Sequence, residues 1–108
     1  MIILQEIESP RNGKITNHDF YTYDPLNEFN EEHSLNYLNE DLLQCYFQID
    51  DVKVDLGWYG DIETNTGEFR IYIIESENWE YPVKIIYSKS VEKIKTLLIN
   101  IFTCYTAK

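Results

Sequence analysis

Residues 43–59, LQCYFQIDDVKVDLGWY, decide the fold. Leu43, Cys45, Phe47 and Ile49 alternate with Gln44, Tyr46, Gln48 and Asp50. Val52, Val54, Leu56 and Trp58 then alternate with Lys53, Asp55, Gly57 and Tyr59. A period of two marks strands with one buried face. Asp50 and Asp51 lie between the runs as a tight connection, so the pair reads as a β-hairpin.

Downstream, GDIETNTG at 60–67 carries turn chemistry. Phe69, Ile71 and Ile73 then alternate with Arg70, Tyr72 and Ile74 as a further strand. ESENWEYP at 75–82 reads as a loop and VKIIY at 83–87 as the last strand. Ser90 offers a helix cap, with Glu92 in the first turn, where the helix dipole favours an acid. Val91, Ile94, Leu97, Leu98, Ile101, Phe102 and Tyr105 make an apolar stripe on a helix of about four turns. Such a helix is unstable alone in water and needs an apolar sheet face to cover.

Upstream, IILQEIE at 2–8 reads as a strand and SPRNG at 9–13 as a turn. KITNHDFYTY at 14–23 returns as a second strand. Residues 24–34 read as an irregular or partly helical excursion, and Leu35, Leu38 and Leu42 have the spacing of a short helix. The expected architecture is α+β: an antiparallel sheet of five or six strands, with the C-terminal amphipathic helix packed on one face and the other face open. The length of 108 residues fits a single domain, and no internal repeat interrupts it.

Charge is the strongest compositional signal. Nineteen Asp and Glu oppose nine Lys and Arg, for a net charge of −10. A domain this acidic repels nucleic acid and anionic membranes and attracts cationic partners. The basic cluster Lys84, Lys89, Lys93 and Lys95 lies close to Glu92 and reads as a solvated helix face, not a nucleic-acid site. Between Ile15 and Val52 there is no Lys or Arg, while Asp19, Asp24, Glu28, Glu31, Glu32, Glu40, Asp41, Asp50 and Asp51 all fall there. Two readings stand: a solubilising surface, or a docking face for a basic protein, the second raised by the interspersed tyrosines.

The chain has nine Tyr, five Phe and two Trp. Tyr46, Tyr59 and Tyr72 sit on the polar phase of strands whose apolar phase is already filled. They are expected to share the face away from the helix, either as cross-strand packing or as a patch for a partner. Trp79 and Tyr81 carry the same two readings.

Catalytic signals are sparse. No P-loop, dinucleotide-binding, HExxH or GxSxG pattern occurs. His18 beside Asp19, and His33 after Glu31 and Glu32, lack the repeated spacing of a metal site, so no metal or other cofactor is expected. Cys45 and Cys104 lack CxxC spacing and fall on phases read as buried or half-buried, the pattern of reduced, inert thiols in a cytosolic protein. The opening MIILQEIESP lacks the basic and long apolar regions of a signal peptide, and no apolar run is long enough to cross a membrane.

Asp55, Gly57, Trp58 and Tyr59, then Gly67 and Phe69, then Trp79 and Pro82 ahead of a last strand and helix, form a recurring order of elements. In this, residues 43–102 resemble the small immunity proteins of bacterial toxin–immunity systems, including those of contact-dependent growth inhibition. The resemblance implies a cytoplasmic, non-enzymatic protein that binds and neutralises one cognate toxin, often a nuclease. The N-terminal third lies outside the likeness and is the expected place for toxin-specific contacts. The physics of charge points the same way, because an RNase or DNase that binds polyanions carries a cationic cleft. The expected partner-binding residues are Asp19, Glu31, Glu32, Asp50, Asp51, Tyr46 and Tyr59, on a monomer or weak dimer. A non-enzymatic scaffold or subunit-interaction domain is the alternative, and a small hydrolase using clustered carboxylates is a third.

Overall fold

The structure, a computed structural model, describes residues 1–106. Its sheet is a five-stranded antiparallel meander in the order β1-β2-β3-β4-β5. The strands are β1 (Gly13–His18), β2 (Leu43–Phe47), β3 (Val52–Asp61), β4 (Thr66–Glu75) and β5 (Lys84–Ser88). Helix α1 (Glu31–Tyr37) lies in the long β1–β2 connection, and α2 (Val91–Thr106) follows β5.

The register explains the alternation. Leu43, Leu56, Ile71 and Ile86 form one row across β2 to β5. All four point to the α2 side, where Ile94 and Leu98 are fully buried. Phe47 meets Phe102 and Tyr105 at ring-centroid distances of 5.9 and 5.1 Å, which fixes the far end of α2 over β2. Burying a side chain of this size contributes ~1.5–3 kcal/mol, so the stripe holds the helix in place. Ser90 caps the helix as expected, its Oγ accepting from Lys93 N–H at 3.2 Å.

Asp50 and Asp51 do occupy the β2–β3 connection. The strand ends earlier than the alternation suggests, at Phe47, and Ile49 lies in the turn, 75% exposed. Asp51 takes a left-handed φ of 52° there. Its carbonyl accepts from Ser76 N–H at 2.9 Å, which ties this turn to the β4–β5 loop.

Residues 2–8 are not a strand. They pair with residues 20–22 through one isolated bridge, Leu4 to Tyr21, flanked by Gln5 N–H to Phe20 O and Thr22 N–H to Ile3 O, both 2.8 Å. The partner segment has already left the sheet after β1, so no ladder extends. The leucine spacing at 35, 38 and 42 also does not mark the helix. Leu35 is exposed, Leu38 is the C-terminal cap and Leu42 lies beyond α1. Polar contacts seat α1 instead: the Tyr23 hydroxyl lies 2.7 Å from buried Ser34 Oγ and accepts from Asn30 N–H at 2.9 Å. Phe20 packs edge-on to Phe69, so this connection lies on the α2 side of the sheet.

Cys45 is buried, and burial pushes its thiol up to about 11. Cys104 is exposed, contrary to the buried or half-buried phase expected for it. It lies six residues from Leu98, about 120° around the helix, past the margin of the buried stripe.

Candidate functional site

The sheet face turned away from α2 carries Tyr46, Tyr59 and Tyr72, as the phase of the strands requires. Tyr59 and Tyr72 are not directly opposite: Tyr59 pairs with Glu68, and Tyr72 with Asp55. Gly57 and Arg70 occupy the rung between them. With no side chain at Gly57, the two rings meet across that rung, centroids 5.6 Å apart and nearly perpendicular.

Arg70 is held among these rings. Its guanidinium lies 5.0 Å from the Tyr59 centroid and 5.6 Å from that of Tyr87, within the range of cation–π attraction. Its Nε donates to Glu68 at 3.0 Å and a terminal nitrogen donates to the Tyr72 hydroxyl at 3.2 Å. Tyr72 and then Glu68 raise the Arg70 pKa, favouring its charged form.

Gly57 also positions an acidic element. Trp58 N–H donates to Asn39 O at 2.8 Å and Leu42 N–H to Leu56 O at 3.0 Å, so residues 39–42 run along β3 as a bulged extension of β2. A Cβ at Gly57 would collide with the Glu40 backbone. The absent side chain therefore seats Glu40 and Asp41 on the open face. Directly beside them Asp55 is buried, and its carboxyl is pushed up to about 6 by burial and then by the charge of Asp41, against a hydrogen bond with Gln44. Burial, followed by the charge of Asp55, pushes the Tyr59 phenol up to about 12.

The opposite end of the same face holds Tyr46, whose hydroxyl donates to Asp51 Oδ1 at 3.0 Å. Lys53 is paired there with Glu77 at 3.0 Å and stands 5.9 Å from the Trp79 ring centroid. This β4–β5 loop narrows the open face at that corner, where Ile74 is fully buried.

No family model, no curated protein and no solved structure matches this chain. The geometry alone must therefore carry the reading of the site. It divides the residues singled out in the sequence. Tyr46, Tyr59, Asp50 and Asp51 belong to the open face or the turn at its end. Glu31 and Glu32 are exposed in the first turn of α1, within the connection on the α2 side. Asp19 is exposed just after β1, its backbone fixed by an N–H donated to Leu42 O at 2.6 Å. The acid block that is continuous in sequence is thus split between two sides of the fold.

Glu40, Asp41, Asp55 and Arg70 are not among the expected partner contacts, although Glu40 and Asp41 belong to the acid stretch and Asp55 to the motif of the resemblance. A glycine inside a strand is the available signal, because it marks close approach by another backbone. The histidines have structural partners: His18 Nε2 contacts Gln5 O at 2.8 Å, and His33 packs against Tyr23 and Tyr37. Among the described residues no three His, Cys, Asp or Glu are arranged to hold a metal, and no helix is long and apolar enough to cross a membrane.

Proposed function

We propose that this chain is an immunity protein: it binds a cationic protein toxin domain, a basic RNase or DNase, and neutralises it by covering the active site. One observation carries the reading, the excess of acid over base, a net charge of −10 that includes a long stretch without any Lys or Arg. The stretch from Ile15 to Val52, which has no Lys or Arg, forms most of β1, the α1 connection, β2 and the turn between β2 and β3. Lys84 lies on β5, Lys89 just after it and Lys93 and Lys95 in the first turns of α2, with Lys89 near Pro25 and Leu26 and Lys95 near Asp24 and Glu28, too few to offset the acids of that stretch. The ion pairs Lys53–Glu77 and Arg70–Glu68 engage acids outside the acidic stretch.

A net negative field steers a basic partner and speeds encounter. Rigid tyrosines next to that field supply area that loses little conformational freedom on binding. Neither feature needs bond chemistry, so the activity proposed is binding and occlusion. The protein acts in the cytoplasm, where its two free thiols remain reduced.

The test is to search the neighbouring reading frames for a basic nuclease domain and to measure whether this chain inhibits it. Stoichiometric addition is expected to abolish its nuclease activity and to form a one-to-one complex. A complex that leaves the nuclease fully active would favour the scaffold reading, and no complex would refute the proposal.

A further inference from the structure

Resting on that reading, we propose that the cationic partner docks on the sheet face turned away from α2, over Tyr59, Tyr72, Arg70 and Tyr87, through a segment rich in Arg or Lys. The acids of α1 and Asp19 then act from outside the contact, as steering charges.

Two candidate surfaces compete, and they differ in what an interface needs. Tight interfaces combine a desolvated centre of rigid aromatic or Arg anchors with a polar rim. Around α1 the acids are solvated side chains at a helix start, where their nearest structural role is to complement the helix dipole. On the open sheet face the anchors exist already: the Tyr59–Tyr72 pair, Arg70 fixed by four neighbours, and Tyr87, 55% exposed at the edge.

Charge selects the occupant. Two cations of this face, Lys53 and Arg70, are already paired with Glu77 and Glu68. Lys14 lies at the β1 margin, opposite Tyr46. Glu40, Asp41 and Asp55 are left concentrated beside the rings, with Asp55 buried and the charge of Asp41 close to it. An incoming guanidinium or ammonium would relieve that repulsion and stack on the Tyr59 and Tyr72 rings. A second copy of the chain meets the reverse situation, since each copy carries −10.

Nona-arginine peptide, which has no enzymatic activity, probes the face separately from inhibition. It would be titrated into the isotope-labelled full chain and followed by amide shifts. The expected result is saturable shifts at Glu40, Asp41, Asp55, Tyr59 and Tyr72. The paired variant Glu40→Gln/Asp41→Asn is expected to weaken the peptide about fivefold, and Tyr87→Ala by a similar factor. Glu31→Gln/Glu32→Gln removes the same charge elsewhere and is expected to change affinity less than about twofold. Both acidic pairs are exposed, and an unchanged amide spectrum away from the substitutions establishes that the variants fold. Shifts centred on residues 24–32, equal weakening by the two paired variants, or no saturable binding would each overturn this assignment. Inhibition of the nuclease despite such a result would leave the proposed function standing with a different surface.

Discussion

Replacing Asp55 with Asn removes a charge that the fold holds at a disadvantage. The carboxyl is buried, with Gln44 on β2, Tyr72 on β4, Tyr59 on its own strand and Glu40 and Asp41 on the bulge around it. Lys53, the cation two residues away, is tied to Glu77. The folded carboxyl titrates at about 6, against an ordinary value of 3.8. A difference of ~2 units corresponds to ~3 kcal/mol. The direction follows from which state binds the proton more tightly. The folded protein does, so stability is complete below about pH 4 and is lost as pH rises through about 6. Asn carries no such penalty and keeps a hydrogen-bonding partner for Gln44. The variant and the natural protein should therefore unfold at similar urea concentrations near pH 4. By about pH 7.5 the variant should be more stable by up to ~3 kcal/mol. Parallel stability curves across that range would refute the argument, because Asp55 would then ionise without cost. A variant that gains stability while losing affinity for nona-arginine would tie the buried acid to docking rather than to folding.

Three further outcomes follow from the packing. Gly57→Ala drives a methyl group into the Glu40 backbone and breaks the hydrogen bonds that hold the bulge, so urea denaturation should show a loss of roughly 2–4 kcal/mol; a loss below ~0.5 kcal/mol would mean that the bulge does not rest on Gly57. Tyr23→Phe leaves buried Ser34 without its hydroxyl partner and should cost about 1–3 kcal/mol by the same assay, with the sheet intact by circular dichroism. A thiol reagent should label Cys104 rapidly in the native protein and Cys45 only on unfolding, since one thiol is exposed and the other is buried with its pKa raised to about 11; rapid native labelling at both would contradict the placement of β2 under α2.

The elements legible in the sequence are those whose pattern comes from burial on one face. The hairpin of β2 and β3, strand β4 and the stripe of α2 each bury every second residue or one helical face, so their periods survive in the one-dimensional pattern. The phase of Tyr46, Tyr59 and Tyr72 was legible for the same reason. Helix α1 was not, because Tyr23, Ser34 and a cap at Asn30 hold it rather than an apolar stripe. Residues 2–8 have the composition of a strand but lack a partner long enough to form one. The acidic site was the least legible part. Glu40 and Asp55 are fifteen positions apart in the numbering, and only the dent at Gly57 brings them together. Cys104 misled because a helical margin differs from its stripe by a single residue step.

The measurement closest to the central claim is the association rate between this chain and the basic nuclease domain proposed as its partner, followed by stopped flow at increasing salt. Raising salt from about 0.01 M to about 0.15 M shortens the Debye length from ~30 to ~8 Å. If an uncompensated acidic surface guides a cationic cleft, the rate should fall by at least about tenfold, while inhibition remains stoichiometric at saturating protein. A rate that stays constant over this interval would contradict the account.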